Sequence, residues 1–269
     1  MRFVWIDKYL TQLKSLTDNK SFQDFLDPNS VNPLYESVQK LHGVIENEKK
    51  LNKARKEKKV EWIFVIPRNT PLRFKIGEDD PELKLRVDLS CSIQGIEELK
   101  TQTFSIKKYN FEIRVWSEEE NIIYRDDFDS EEIGRKIRES GCRRVMSRFH
   151  FDVKSTNTQR HLEPFSHFHI GGDSEDHEFC WLHNKIEIPR FPHPPMDLIL
   201  LSELILASLF HDQSKELRDD PFWKNMIQFS QDCFLKPYFD ECNYAINNVQ
   251  STLLSHLHTI NQCGIIKIH

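Results

Sequence analysis

A chain of 269 residues with 38% hydrophobic and 29% charged side chains is long enough to bury a sizeable core, as ordinary globular proteins do. Its formal net charge of −5 gives no global attraction to nucleic acid or to an anionic bilayer, so such a partner has to be met by a local basic patch. The opening MRFVWIDKYL lacks the apolar core of a signal peptide, the most apolar stretch (residues 196–210) is too short to span a bilayer, and six cysteines are scattered without a CxxC pair. These features imply a cytoplasmic protein with reduced thiols and no membrane partner.

Ile6, Leu10, Leu13 and Leu16 recur at helical spacing and predict an amphipathic helix over residues 3–17. Residues 27–33 form a turn-rich break. Asn32 then reads as the cap of a second helix with Pro33 at its first position, and Leu34, Val38, Leu41 and Ile45 as its buried stripe. From Glu46 that helix becomes lysine-rich, which suits a solvated C-terminal end or, alternatively, a phosphate-contacting arm.

Sheet signals follow. Residues 62–66 read as a strand closed by Pro67. From Leu83 to Gln94 apolar and polar residues alternate strictly, which predicts a half-buried strand of an antiparallel sheet. Residues 104–115 read as another strand, whose apolar parity shifts between Ile106 and Tyr109; this implies a bulge or tight turn at Lys107 and Lys108. A short strand at 122–124 and a short helix over 131–140 come next. The helix and the residues after it are basic, with Arg135, Lys136, Arg138, Arg143 and Arg144 forming a candidate nucleic-acid-binding patch; a solvated basic face is the plainer explanation.

Residues 145–193 hold seven of the twelve histidines. Two runs there alternate. Arg148, His150, Asp152 and Lys154 oppose Phe149, Phe151 and Val153; His167 and His169 oppose Phe168 and Ile170. If these strands are antiparallel neighbours, their titratable groups share one patch. His161, His177, His183 and His193 have no such placement and read as loop or packing residues. Short strands at 180–182 and 186–188 precede the prolines at 189, 192, 194 and 195, which stop the sheet. Residues 196–210 read as a central packing helix, and 221–233 and 236–260 as further helices.

The expected fold is α+β: a mostly antiparallel sheet flanked by N-terminal and C-terminal helices. It divides into a helical segment at 1–59, a sheet region with one short helix at 60–193, and helices at 194–269 that pack on the sheet.

Three chemistries suit the patch. A histidine pair, His150 with His167 or His169, can act as general base and general acid on a phosphodiester, with Arg148 and Lys154 on phosphate. His167-x-His169 with Asp152 or His150 can ligate a divalent metal. Asp152-Val153-Lys154 has the form of the acid-x-Lys end of a metal-dependent nuclease core, with Asp126, Asp127 or Asp129 as the earlier carboxylate. The bland alternative is a polar sheet face stabilised by cross-strand ion pairs.

Arg148-x-His150-x-Asp152, HLEPFSHFHIGG from His161 to Gly172, and Ile188-Pro189-Arg190-Phe191-Pro192 before an apolar helix resemble the pattern of an uncharacterised bacterial protein family associated with toxin–antitoxin or phage-defence loci. The resemblance spans residues 145–210. It implies Arg148, Asp152, His167 and His169 as a shared polar set, and His150 stands where that pattern has an acid. The expected function is a prokaryotic defence or toxin-type effector, a nuclease using the His/Arg/Asp patch. The rival expectation is a non-catalytic nucleic-acid- or partner-binding module, an antitoxin or scaffold.

Overall fold

The computed structural model describes residues 3–55, 58–75, 85–100, 103–117, 144–153, 166–170 and 191–247. It is α+β, as the alternating and helical periodicities require. Three helices open the chain: α1 (Val4–Asp18), α2 (Lys20–Gln23) and α3 (Pro28–Arg55). The described strands are β1 (Lys59–Ile66), β2 (Leu72–Lys75), β3 (Leu85–Glu98), β4 (Thr103–Ser117), β5 (Arg144–Val153), β6 (Ser166–Ile170) and β7 (Phe191–Pro192). They form one antiparallel sheet in the order β1-β3-β4-β5-β6-β7, with β2 paired to β3 beside β1. Helices α4 (Leu198–Leu209), α5 (Lys215–Asp219) and α6 (Pro221–Ser230) follow. A π-helical turn (Gln231–Leu235) joins α6 to α7 (Lys236–Asn247).

One hydrophobic cluster joins all three segments. Helix α1 buries Ile6, Tyr9, Leu10, Leu13 and Leu16, its apolar stripe. Tyr9 packs against Trp62 of β1, Phe104 of β4 and Phe234 of the π turn. Phe22 stacks on Trp223 and meets Phe74, tying α2 to α6 and β2. On the sheet, Phe64, Val87, Leu89, Ile93, Phe111 and Ile113 face this core. At about 25 cal/mol per Å² of apolar surface removed from water, a cluster this size is the main stabilising term.

Two buried carboxylates close helix ends in the core. The N-cap of α1, Phe3, has no capping side chain; Glu97, on β3, accepts from the Trp5 N–H at 3.2 Å and the Ile6 N–H at 2.8 Å instead. Asp197 caps α4, accepting from the Leu200 N–H and from the Ser230 hydroxyl, each at 2.9 Å.

The bulge falls where parity shifts. Gln94 opposes Lys108 but Gly95 opposes Ile106, so Lys107 is the extra residue of β4. Other expectations are corrected. Helix α3 starts at Pro28, leaving Pro33 inside it. Asp27-Pro28 offers the same cap chemistry as Asn32-Pro33, since the Asp27 carboxylate accepts from the Asn29 N–H. The added turn is held by Ser30, whose hydroxyl bonds the Pro71 carbonyl and the Arg73 N–H. Strand β3 is half-buried only toward Gln94, which is exposed; in its first half Arg86, Asp88 and Ser90 of the polar face are buried as well. The prolines do not wholly end the sheet: Phe191–Pro192 adds a two-residue strand beside β6. The strands at 122–124, 180–182 and 186–188 and the helix over 131–140 lie outside the described residues. No helix among the described residues is long and apolar enough to cross a membrane.

Candidate functional site

Strand β4 reads N-F-E-I-R over residues 110–114, and β5 reads R-F-H-F-D over 148–152. In both, aromatic or aliphatic residues turn to the core, and alternation assigns the rest to the opposite face. The antiparallel register then sets Asn110 against Asp152, Glu112 against His150 and Arg114 against Arg148. Strand β6 continues the rows, with His167 opposite Asp152 and His169 opposite His150. On the other side of β4, β3 brings Ser90 to Glu112 and Asp88 to Arg114, and β2 brings Arg73 to Asp88.

The face is polar but not open. Asp88, Glu112, Arg114, Arg148 and Asp152 are buried, and His167 is fully so. Two carboxylates organise the guanidinium groups. The Glu112 side chain, 1% exposed, accepts from Nε of Arg148 and from Nε of Arg68 at 2.6 Å. Arg68 comes from the turn after β1, and its own carbonyl accepts from Arg114 at 3.3 Å. Asp88 accepts from Nε of Arg73 at 3.0 Å and from Nη2 of Arg86 at 3.4 Å. Arg86 and Arg114 lie over the Trp116 ring, 5.4 and 5.3 Å from its centroid, a cation–π arrangement.

A smaller network lies beside Glu112. The Asn110 amide donates from Nδ2 to Asp152 Oδ1 at 2.7 Å, and its Oδ1 lies 3.3 Å from His150 Nε2. His150 Nδ1 is 3.5 Å from Asp152 Oδ2.

Titration follows from these contacts. Burial raises the Glu112 pKa, but Arg148, Arg68 and Arg114 together outweigh it, and the carboxyl sits below its ordinary range. At Asp88 burial prevails over Arg73 and the pKa is raised. Burial lowers the His150 pKa and Arg148 adds to this, against the opposing pull of Asp152 and Glu112. His150 is therefore a neutral imidazole at neutral pH.

Of the sequence-predicted residues, Arg148, His150, Asp152 and His167 come together on this face, and His169 holds the register position opposite His150. Arg144 opens β5 opposite Ser117. Lys154, Arg135, Lys136, Arg138 and Arg143, and the metal-nuclease candidates Asp126, Asp127 and Asp129, lie outside the described residues. His193 is on the apolar side, edge-on to Phe151 and Phe168, with Nδ1 2.7 Å from the Pro194 carbonyl. Among the described residues, no group of three His, Cys, Asp or Glu side chains converges on a point that could hold a metal ion.

Asn110, Glu112, Arg114 and Arg68 belong to the site but were not expected from the sequence. The first three were present as the polar alternation of β4; the signal that finds them is the antiparallel alignment of N-x-E-x-R with R-x-H-x-D. Arg68 sits in a turn and carries no local signal. No protein-family model, curated protein or solved structure matches the chain.

Proposed function

We propose that this sheet face binds and cleaves a phosphodiester, and that the chain is a nuclease. The observation that carries the reading is His150, its Nδ1 3.5 Å from the Asp152 carboxylate, with Arg148 and Arg68 among its charged neighbours. An imidazole beside a carboxylate, here with 16% of its side chain exposed, serves as a general base: the proton it takes up is stabilised by Asp152. His169, opposite His150 in register, supplies the general acid. Arg148 orders the row through Glu112. Arg68, with 42% of its side chain exposed, meets the phosphate, and Lys154, just past the end of β5, is the second candidate for that contact. An RNA substrate provides its own 2′-hydroxyl nucleophile, so no further protein nucleophile is required.

The context of a toxin or phage-defence effector acting in the cytoplasm, held in check by a protein partner, follows from the resemblance of residues 145–210. The test uses single-stranded and duplex RNA and DNA with wild type and the His150→Ala/His169→Ala variant. Wild type should cleave at least one class, and the variant should lose roughly 10²-fold or more of the rate. Equal rates, or no cleavage by wild type, end this reading. Arg68 and Arg73, whose side chains are 42% and 30% exposed, favour a second one, a nucleic-acid-binding module. Under it, affinity falls steeply with salt and survives the histidine substitutions.

A further inference from the structure

In an antiparallel pair, alternate residues turn their N–H and C=O toward the partner strand, and the residues between turn them away. On β1 the parity is fixed. The Lys58 carbonyl accepts from the Leu99 N–H at 2.7 Å, so the even-numbered residues of β1 face β3. Glu61, Ile63 and Val65 therefore point theirs outward, at the margin of the sheet where β1 begins the strand order. The flanks of this margin are closed. Beside β2, the Asp27 N–H bonds the Arg73 carbonyl and the Lys75 N–H bonds the Phe25 carbonyl, each at 2.9 Å. At the start of β1, the Asn52 amide donates to the Lys59 carbonyl. Between these closures the outward N–H and C=O groups of Glu61, Ile63 and Val65 have no hydrogen-bond partner among the described residues. The side chains there are exposed and partly apolar: Ile63 is 41% exposed and Val65 38%. An open margin of this kind is a template for strand addition. Charge gathers at its one end, where Lys58, Lys59, Lys107 and Lys108 are all exposed. Glu61 pairs with Lys59 at 3.4 Å and with Lys107 at 3.3 Å, and positive charge remains in excess.

We propose that the margin of β1 is a docking site for an extended, acidic segment of another protein, which adds to the sheet as an antiparallel strand through Glu61, Ile63 and Val65. Main-chain hydrogen bonds supply the attachment, and alternate side chains supply the selectivity. Apolar residues of the segment lie opposite Ile63 and Val65, and acidic residues meet Lys58 and Lys59. A second copy of this chain fits less well. The two-fold antiparallel register that pairs all three residues with one another centres on Ile63. It sets the Glu61 carboxylate against Val65 and brings Lys58 opposite Arg68, like charge to like. The site lies outside the His150 face and does not depend on the reading of that face.

The test is residue-level amide hydrogen exchange of the full chain, with synthetic peptides that alternate valine and threonine as probes. One peptide carries aspartates at both ends, one carries lysines there, and one is the aspartate peptide N-methylated on the amides that face β1. In the free chain the amides of Trp62 and Phe64 should be protected and those of Glu61, Ile63 and Val65 should exchange fast. The aspartate peptide should slow the latter three by about tenfold or more, and the lysine peptide should bind about tenfold more weakly. The N-methylated peptide should not bind. Ile63→Pro removes an N–H that the ladder with β3 does not use, so it should abolish binding while Trp62 and Phe64 stay protected. Val65→Lys leaves the backbone untouched and should also weaken binding of the aspartate peptide, by about tenfold. No added protection with the aspartate peptide up to about 1 mM overturns the proposal, and so does equal binding of the N-methylated peptide. Protection of Glu61, Ile63 and Val65 in the free chain overturns it too. If that protection fades on dilution together with a dimer seen by sedimentation, the occupant is a second copy; if it survives dilution, the margin is filled by the chain itself.

Discussion

Over the middle of β3, β4 and β5 the two faces of the sheet are both buried, but by different physics. On one, Phe64, Leu89, Phe111 and Ile113 meet the helices, and shape and apolar area suffice. On the other, Asp88, Glu112, Arg114 and Arg148 are withdrawn from water only because each charge has a partner. The apolar face loses stability in proportion to the atoms removed. The polar face loses it when a partnership is broken and regains it when both members leave together.

That difference can be tested most severely at Glu112. Glu112→Leu removes the carboxylate that Arg68 and Arg148 share and should cost about 3–5 kcal/mol in denaturant unfolding. Adding Arg148→Leu should restore most of the loss, which a double-mutant cycle measures as a coupling. Phe111→Ala should cost a similar amount, about 3–5 kcal/mol. No partner deletion should recover it, and recovery by one would erase the distinction between the faces.

The buried acids sharpen the contrast through pH. Glu112 lies among arginines and its pKa is lowered, so its contribution is present above the unfolded pKa and is lost as pH falls. Asp197, on the helical side, is raised by burial from 3.8 to about 6. Its contribution is present below the unfolded value and lost as pH rises through about 6, a change on the order of 3 kcal/mol. Asp197→Asn keeps a capping oxygen and should flatten that part of the stability–pH curve; a curve unaltered between pH 4 and 6 refutes the assignment.

Smaller effects are expected from Glu97 and Arg68. Glu97→Gln weakens the cap of α1 and should lower stability by about 1 kcal/mol, read as a fall in Tm. Arg68→Ala, at a partly exposed pair, should cost about 0–1 kcal/mol. Its larger effect should be on KM for a nucleic-acid substrate, since Arg68 is the arginine in the Glu112 cluster whose side chain reaches solvent.

Much of the fold was readable where a period is local. The stripe of α1, the alternation of β3, the parity shift at Lys107 and the apolar run of α4 each declare themselves within a dozen residues. The start of α3 was not readable, because Asp27-Pro28 and Asn32-Pro33 carry the same cap signal and a tertiary bond from Ser30 decides between them. Strand β2 is four residues, Leu-Arg-Phe-Lys, too short for periodicity to mark. At the site, Arg148, His150, Asp152 and His167 stood out by composition. Burial of the polar face did not, since alternation tells which residues share a face and not whether that face meets water.

The cap of α1 also has a consequence in time. Its hydrogen-bond acceptor is supplied by Glu97, 91 residues after Ile6. At synthesis rates of roughly 5–20 residues per second, the first helix to emerge waits on the order of 5–20 s before the residue that finishes it is made. The cap of the N-terminal helix is therefore completed only once β3 has been made.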